Sequence, residues 1–368
     1  MSFSKRNTSL FTGVLIYLLG KRIKRLICMK ALFIGGTGTI STDVVALAQQ
    51  RGWEITLLNR GSKKVPEGAR NVVADIHDEL AVAKAIEDEN YDVVAQFIGY
   101  TAEDVERDIR LFRNKTKQYI FISSASAYQK PLADYHITES TPLMNPYWQY
   151  SRDKIAAEEV LLSAYRKNGF PITIVRPSHT YNGEKPLVCM HGNKGNWQIV
   201  KRILEGKPVI IPGDGTSLWT LTHSKDFAKG YVGLMGNPHA IGNAFHITSD
   251  ESMTWNQIYE TIADALGKPL NALHVASDFL ARHGEMYDFT GELLGDKVNT
   301  VKFDNSKIKR FVPDFICTIS MAEGLRQSVE YMLAHPETQT LDPDFDSWCD
   351  RIIDAQCAAD EAFETSIK

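Results

Sequence analysis

From residue 30 to residue 177 the chain switches repeatedly between two rhythms. Short, nearly unbroken apolar runs, "KALFI", "EITLLNR", "NVVAD", "YDVVAQFI", "QYIFISS" and "FPITIVRP", predict six strands. Between them "STDVVALAQQRG", closed by Gly52, then "ELAVAKAIEDEN", "TAEDVERDIRLFRN" and a segment opening near Tyr150 carry helical spacing. Strands that stay apolar at successive positions are buried on both faces, as in a parallel sheet with helices on either side. The expectation is therefore an α/β chain with a doubly wound parallel sheet.

After Pro177 the rhythm loosens. "YNGEKPLVCMHGNKGN" reads as loop, while "NWQIVKRILEG", "TWNQIYETIADALG" and "SMAEGLRQSVEYMLAH" read as helices. A cofactor layer is expected over 29–180. A smaller substrate-side region, partly interleaved with it, follows over 181–335, and a C-terminal turn and helix over 336–368. Residues 1–28 form an extension set apart from the core. Its apolar stretch "LFTGVLIYLLG" is too short to cross a bilayer as a helix, and the basic cluster after it lacks an export-type cleavage pattern. An interfacial anchor there is the only membrane role the sequence leaves open.

Composition changes little in this picture. The 368 residues are 43% hydrophobic and 23% charged, with 41 basic against 45 acidic side chains and a formal charge of -4. No broad positive field calls for nucleic acid. The five cysteines, Cys28, Cys189, Cys317, Cys349 and Cys357, make no C-x-x-C and no zinc spacing. They are expected as reduced thiols in a cytoplasmic protein without a metal site.

Candidate chemistry begins where the first strand ends. "GGTGTIS" puts Gly35, Gly36, Thr37, Gly38, Thr39 and Ile40 between a strand and a helix, where backbone N–H groups at the helix start can receive a pyrophosphate. Ser41 stands where close helix–sheet packing would favour a third glycine. About 20 residues further on, an acid would normally accept the adenosine ribose hydroxyls. This chain has Asn59 and Arg60 instead, with Lys63 and Lys64 close behind, so NAD(P) is expected with a lean to NADP. Asp75, closing the third strand, is a candidate acceptor for the adenine amino group.

Tyr150 and Lys154 are four residues apart, which places both on one face of a helix. An ammonium one turn away would favour the phenolate, equipping Tyr150 as acid and base for a substrate hydroxyl. Lys154 would also hold the nicotinamide ribose. "FISSASAY" supplies Ser124 and Ser126 at the carboxyl edge of the sheet, where Ser124 can donate to the reacting oxygen. Without a His/Asp partnership these serines do not look nucleophilic.

Gly35, Gly38, Ser124, Tyr150 and Lys154, in this order, together with "GKPVIIPGDGTS", "WTLTHSKDFA" and "FDNSKIKR", resemble the extended short-chain dehydrogenases/reductases of the NAD(P)-dependent epimerase/dehydratase superfamily. The resemblance spans about 29–335 and implies a Rossmann-type sheet and hydride chemistry on a hydroxyl-bearing, sugar-like small molecule, in a possible homodimer. Two departures stand out. Trp219 occupies the place of an arginine that grips a substrate diphosphate in sugar-nucleotide epimerases, and His179 that of an asparagine touching the nucleotide sugar. His179, Trp219, His223 and Ser126 are the candidate substrate contacts. A dehydratase would carry acids next to the catalytic serine, which "SSAS" lacks. The alternatives are RNA binding on the same fold, as in related chloroplast proteins, and a cofactor-sensing regulator without turnover.

Overall fold

A computed structural model describes residues 28–367, so the N-terminal extension lies almost wholly outside the described residues. Seven strands form one parallel sheet: β1 (Lys30–Ile34), β2 (Glu54–Asn59), β3 (Arg70–Val73), β4 (Val93–Gln96), β5 (Tyr119–Ile122), β6 (Ile172–Pro177) and β7 (Ala244–Ile247). Their order is β7-β6-β5-β4-β1-β2-β3. The order reverses at β1, whose carboxyl end therefore opens the crevice in which ligands bind in such sheets. The helices that concern the site are α1 (Ser41–Gln50), α2 (Glu79–Ala85), α3 (Ala102–Phe112), α4 (Gln149–Asn168), α5 (Trp197–Leu204), α6 (Ser224–Leu234), α7 (Trp255–Ala265), α8 (Met321–Ala334) and α9 (Pro343–Ser366).

Successive β1 residues are buried on opposite faces. Ala31 and Phe33 pack with Val44 and Val45 of α1 and Phe227 and Tyr231 of α6. Leu32 and Ile34 pack with Val82 of α2, Val105 and Ile109 of α3 and Leu161 of α4. That two-sided burial is why the strand reads as continuous apolar sequence. Each fully buried side chain of this size contributes ~1.5–3 kcal/mol, and Phe33→Ala would cost about 3–5 kcal/mol through the cavity it leaves. Both α6 and β7 lie in sequence beyond residue 180, yet they complete the sheet layer.

One element is shorter than the sequence expectation. The helix expected over "ELAVAKAIEDEN" stops at Ala85, because Glu87, Asp88 and Glu89 would set three negative charges at its negative end. The C-terminal helix lies within the expected 336–368, starting where the Asp342 side chain accepts the Phe345 N–H and burying Phe345, Trp348, Ile352 and Ile353. These join a second core with Tyr181, Cys189, Ile210, Trp219, Trp255 and Leu325. Tyr128 and Ile137 belong to this second core, so the chain enters it directly after β5.

Candidate active site

The glycine turn after β1 is built by close approach. Gly35 has φ +83, and a Cβ there would meet Ile98 Cγ2 at 2.4 Å. A Cβ on Gly36 would meet Leu57 at 2.5 Å. Over Gly38 only Ser41 Oγ comes near, at 3.5 Å, so that backbone face is open to a ligand. Ser41 does more than substitute for a small residue: its hydroxyl accepts the Gly38 N–H (2.8 Å) and donates to Gly35 O (2.9 Å), closing the turn on itself. The N–H groups of Thr37, Thr39 and Ile40 have no backbone acceptor among the described residues. Ile40 directly precedes α1 without a side-chain cap, which leaves the helix's positive end to an anion. The turn fits the pyrophosphate of a dinucleotide.

At the end of β2, Asn59 is occupied locally. Its amide donates to Asn71 (3.0 Å) and its oxygen accepts the Gly61 N–H (2.7 Å). Arg60 is exposed and makes no ion pair among the described residues. Lys63 reaches back to donate to Thr37 O (3.2 Å), bringing its charge onto the glycine turn. Asp75 is exposed, accepts the His77 N–H (3.0 Å) and lines an open surface cavity with His77, Asp78 and Glu79.

The reaction end lies past β5, where a cavity of about 350 Å³ is lined by Ser124, Ser126, Lys130, Trp148, Tyr150, His179, His191, Trp219, Glu292, Asp296 and Lys297, among others. Tyr150, in the uncapped first turn of α4, lines this cavity together with Ser124. Burial pushes this phenol up to about 12, and the nearby Ser124 hydroxyl opposes the rise. Ser124 shares a hydrogen bond with Ser126 (2.8 Å), which Ser151 of α4 also reaches (2.8 Å). Lys154, one turn further along α4, is held by backbone oxygens. Its Nζ is 5.7 Å from the Tyr150 ring centre and donates to Gly99 O (2.6 Å) and Ile122 O (2.8 Å). Burial lowers the ammonium to about 7, with Asp104 and Glu158 acting against that fall.

The opposite wall holds charges that sequence reasoning missed. Lys130 is 1% exposed, and its Nζ has neither ion pair nor hydrogen bond among the described residues. Burial lowers its pKa, while Asp296 counteracts this from across the cavity. Asp296 is pushed up to about 6 by burial, and Lys130 and Lys297 oppose the rise. Lys297 is already paired with Glu292 (2.7 Å). Glu292, Asp296 and Lys297 come from a π-helical segment, Thr290–Lys297, whose wide turn has no periodic signature in the sequence. Asn145 ties the two walls together, donating to Ser126 O (2.9 Å) and Gly295 O (2.7 Å).

Of the other candidates, His179 and Trp219 line the cavity and bond to each other, the indole N–H donating to His179 Nδ1 (3.3 Å). Trp219 is also stacked on Trp255 (centres 5.5 Å apart), so it belongs to the core as well as to the wall. Burial holds His179 neutral, down at about 3. His223 does not line the cavity. Its Nδ1 accepts the Lys225 N–H (3.1 Å) and so caps α6, while Asp226 accepts the Thr318 and Ile319 N–H groups. Among the described residues no cluster of His, Cys, Asp and Glu suits a metal ion, and no helix is long and apolar enough to cross a membrane.

Residues 31–248 match the profile of the NAD dependent epimerase/dehydratase family. The chain is 26% identical over 245 residues to the 2'-dehydrokanamycin reductase of Streptomyces kanamyceticus, covering 66% of this chain and 68% of that one. It is 27% identical over 255 residues to the chloroplast stem-loop binding protein of 41 kDa b of Arabidopsis thaliana, covering 65% and 64% respectively. Its fold matches the dTDP-glucose 4,6-dehydratase of Bacillus anthracis, solved in complex with NAD, with a TM-score of 0.66, 18% identity, and coverage of 84% of this chain and 98% of that one.

Proposed function

The chain belongs to the NAD dependent epimerase/dehydratase family, and from that premise we propose that it transfers a hydride to and from a secondary alcohol carbon of a sugar-like substrate, with Tyr150 as the acid and base. The observation that carries this is that Tyr150 and Ser124 line one cavity at the carboxyl edge of the sheet, with the Lys154 ammonium 5.7 Å from the Tyr150 ring centre. A nicotinamide dinucleotide held by the turn Gly35–Ile40 would supply the hydride acceptor. Ser124 donates to the substrate oxygen and fixes it beside the phenol. Tyr150, protonated below about 12, is ready to give its proton to a carbonyl in the reducing direction. Lys154 still has one N–H beyond those given to Gly99 O and Ile122 O, and this N–H suits a cofactor ribose hydroxyl.

Ser126, His179, Trp219 and Lys130 are the proposed substrate contacts. Trp219 in place of an arginine, with two carboxylates across the cavity, supports a weaker hold on a diphosphate than on the sugar itself. No acid adjoins Ser124, which favours epimerisation or simple oxidation and reduction over dehydration. The exposed Arg60 and the missing acid at the end of β2 support NADPH binding at least as tightly as NADH. Calorimetric titration with both cofactors tests this, followed by a screen of sugar nucleotides, free sugars and secondary alcohols monitored by cofactor absorbance. Absence of binding by either cofactor would remove the enzyme reading. The similarity to a stem-loop binding protein favours a second reading, RNA binding, against which the net charge of -4 argues.

A further inference from the structure

Lys154 is enclosed by rings. Its Nζ lies 4.6 Å from the centre of the Tyr100 ring and 4.9 Å from that of Phe121, in addition to the Tyr150 ring already described. Phe121 is fully buried in β5, whereas Tyr100 is 48% exposed, on the loop between β4 and α3. The backbone that carries this exposed tyrosine is held in place. Asp104 of α3 accepts the backbone N–H groups of Tyr100 (2.8 Å) and Thr101 (3.2 Å). Arg107 holds that carboxylate at 2.8 Å. The preceding residue, Gly99, supplies one of the two carbonyls that accept from Lys154. A single loop thus offers the buried ammonium both a carbonyl oxygen and an aromatic face.

We propose that Tyr100 is a positioning residue of the reaction centre, the face of its ring holding the Lys154 ammonium charged and in place for the cofactor ribose. An aromatic face attracts a cation most where water is excluded, as it is here. Other groups facing the ammonium are few. Asp104 on α3 and Glu158 on α4 favour its charge, but Glu158 is committed to Arg176 (2.9 Å) and Asp104 to Arg107. Tyr150 on α4 is a neutral phenol below about 12. Of the three rings around the ammonium, that of Tyr100 lies closest, at 4.6 Å.

The inference rests on the reading of Lys154 as a cofactor contact, and the test separates the two. NADH affinity is measured by fluorescence from about pH 6 to about pH 9 for the native protein, Tyr100→Leu, Tyr100→Phe and Lys154→Met. In the native protein affinity should fall as pH rises past about 7, where the ammonium loses its proton. Loss of the ring destabilises the ammonium, so in Tyr100→Leu the break should move down by about half to one pH unit. Tyr100→Phe keeps the ring face and should keep the native break. Lys154→Met should abolish it. If Lys154→Met abolishes the break while Tyr100→Leu leaves it in place, the role of Tyr100 is overturned and that of Lys154 stands. If Tyr100→Phe shifts as far as Tyr100→Leu, the hydroxyl rather than the ring is responsible and the proposal fails. A break that survives in Lys154→Met removes the cofactor role of Lys154 and the function of the ring with it. Tyr100→Met provides a second ring-free variant should the leucine variant fold poorly.

Discussion

On one side of the cavity, Ser124 and Tyr150 stand at the ends of a strand and a helix whose apolar faces are locked into the sheet. On the other, Lys130, Glu292, Asp296 and Lys297 bring charges into a wall made from a loop and a π-helical segment. The first side is positioned by hydrophobic burial that would exist without any chemistry. The second is held partly by charge compensation, and only Glu292 and Lys297 complete a pair there. Lys130 and Asp296 face each other across the cavity without forming a pair, and the burial of each costs stability. One wall is suited to fixed chemistry and the other to selecting what is brought to it.

Changes on the two walls should therefore fail differently. The largest effect is expected on the sheet side. Tyr150→Phe keeps the ring packing and deletes the proton donor, so turnover should drop by roughly 10²–10⁴-fold while cofactor affinity survives. Steady-state rates beside a cofactor titration check this, and an unchanged rate would sink the mechanism. On the charged wall, Lys130→Met should raise KM by about 10-fold or more and leave kcat closer to native, since a charged hydrogen bond contributes ~1.5–3 kcal/mol. A fall in kcat alone would move Lys130 to the chemical side and blur the contrast.

The smallest effect concerns stability. Because burial raises Asp296 to about 6, its charge is disfavoured in the fold. The native state holds the proton more tightly than the unfolded chain does, so stability declines as pH rises from the usual carboxylate range through about 6. Asp296→Asn should thus raise the melting temperature by about 2 °C at pH ~8 and leave it nearly unchanged at pH ~3, below the usual carboxylate range. Melting curves at both values decide the point, and equal shifts at the two would mean that packing rather than charge is responsible.

How far the sequence was legible divides along the same line. The glycine turn, the sheet and the Tyr150/Lys154 spacing were readable because each is a contiguous segment whose period or backbone demand is local. The sequence also showed that Ser41 replaced a glycine, but not that its hydroxyl would close the turn. His223, a candidate substrate contact at an expected helix start, lies outside the cavity lining and caps α6. Lys130 follows the serine strand closely, yet nothing distinguishes it from a solvated loop lysine until the second core buries it.

By itself, then, the sequence determined the doubly wound sheet, the end of it that receives a dinucleotide, and the phenol and ammonium on one helical turn, because hydrophobic period and glycine conformation act over a few residues. Only the tertiary structure decided where the Lys154 ammonium points, which rings enclose it and which charges face the cavity. Those outcomes depend on residues as distant as Tyr100, Lys130 and Asp296, brought together when water is expelled between two cores. Once the water has left, the protonation of each such group is set by what it meets across the gap, which no local pattern records.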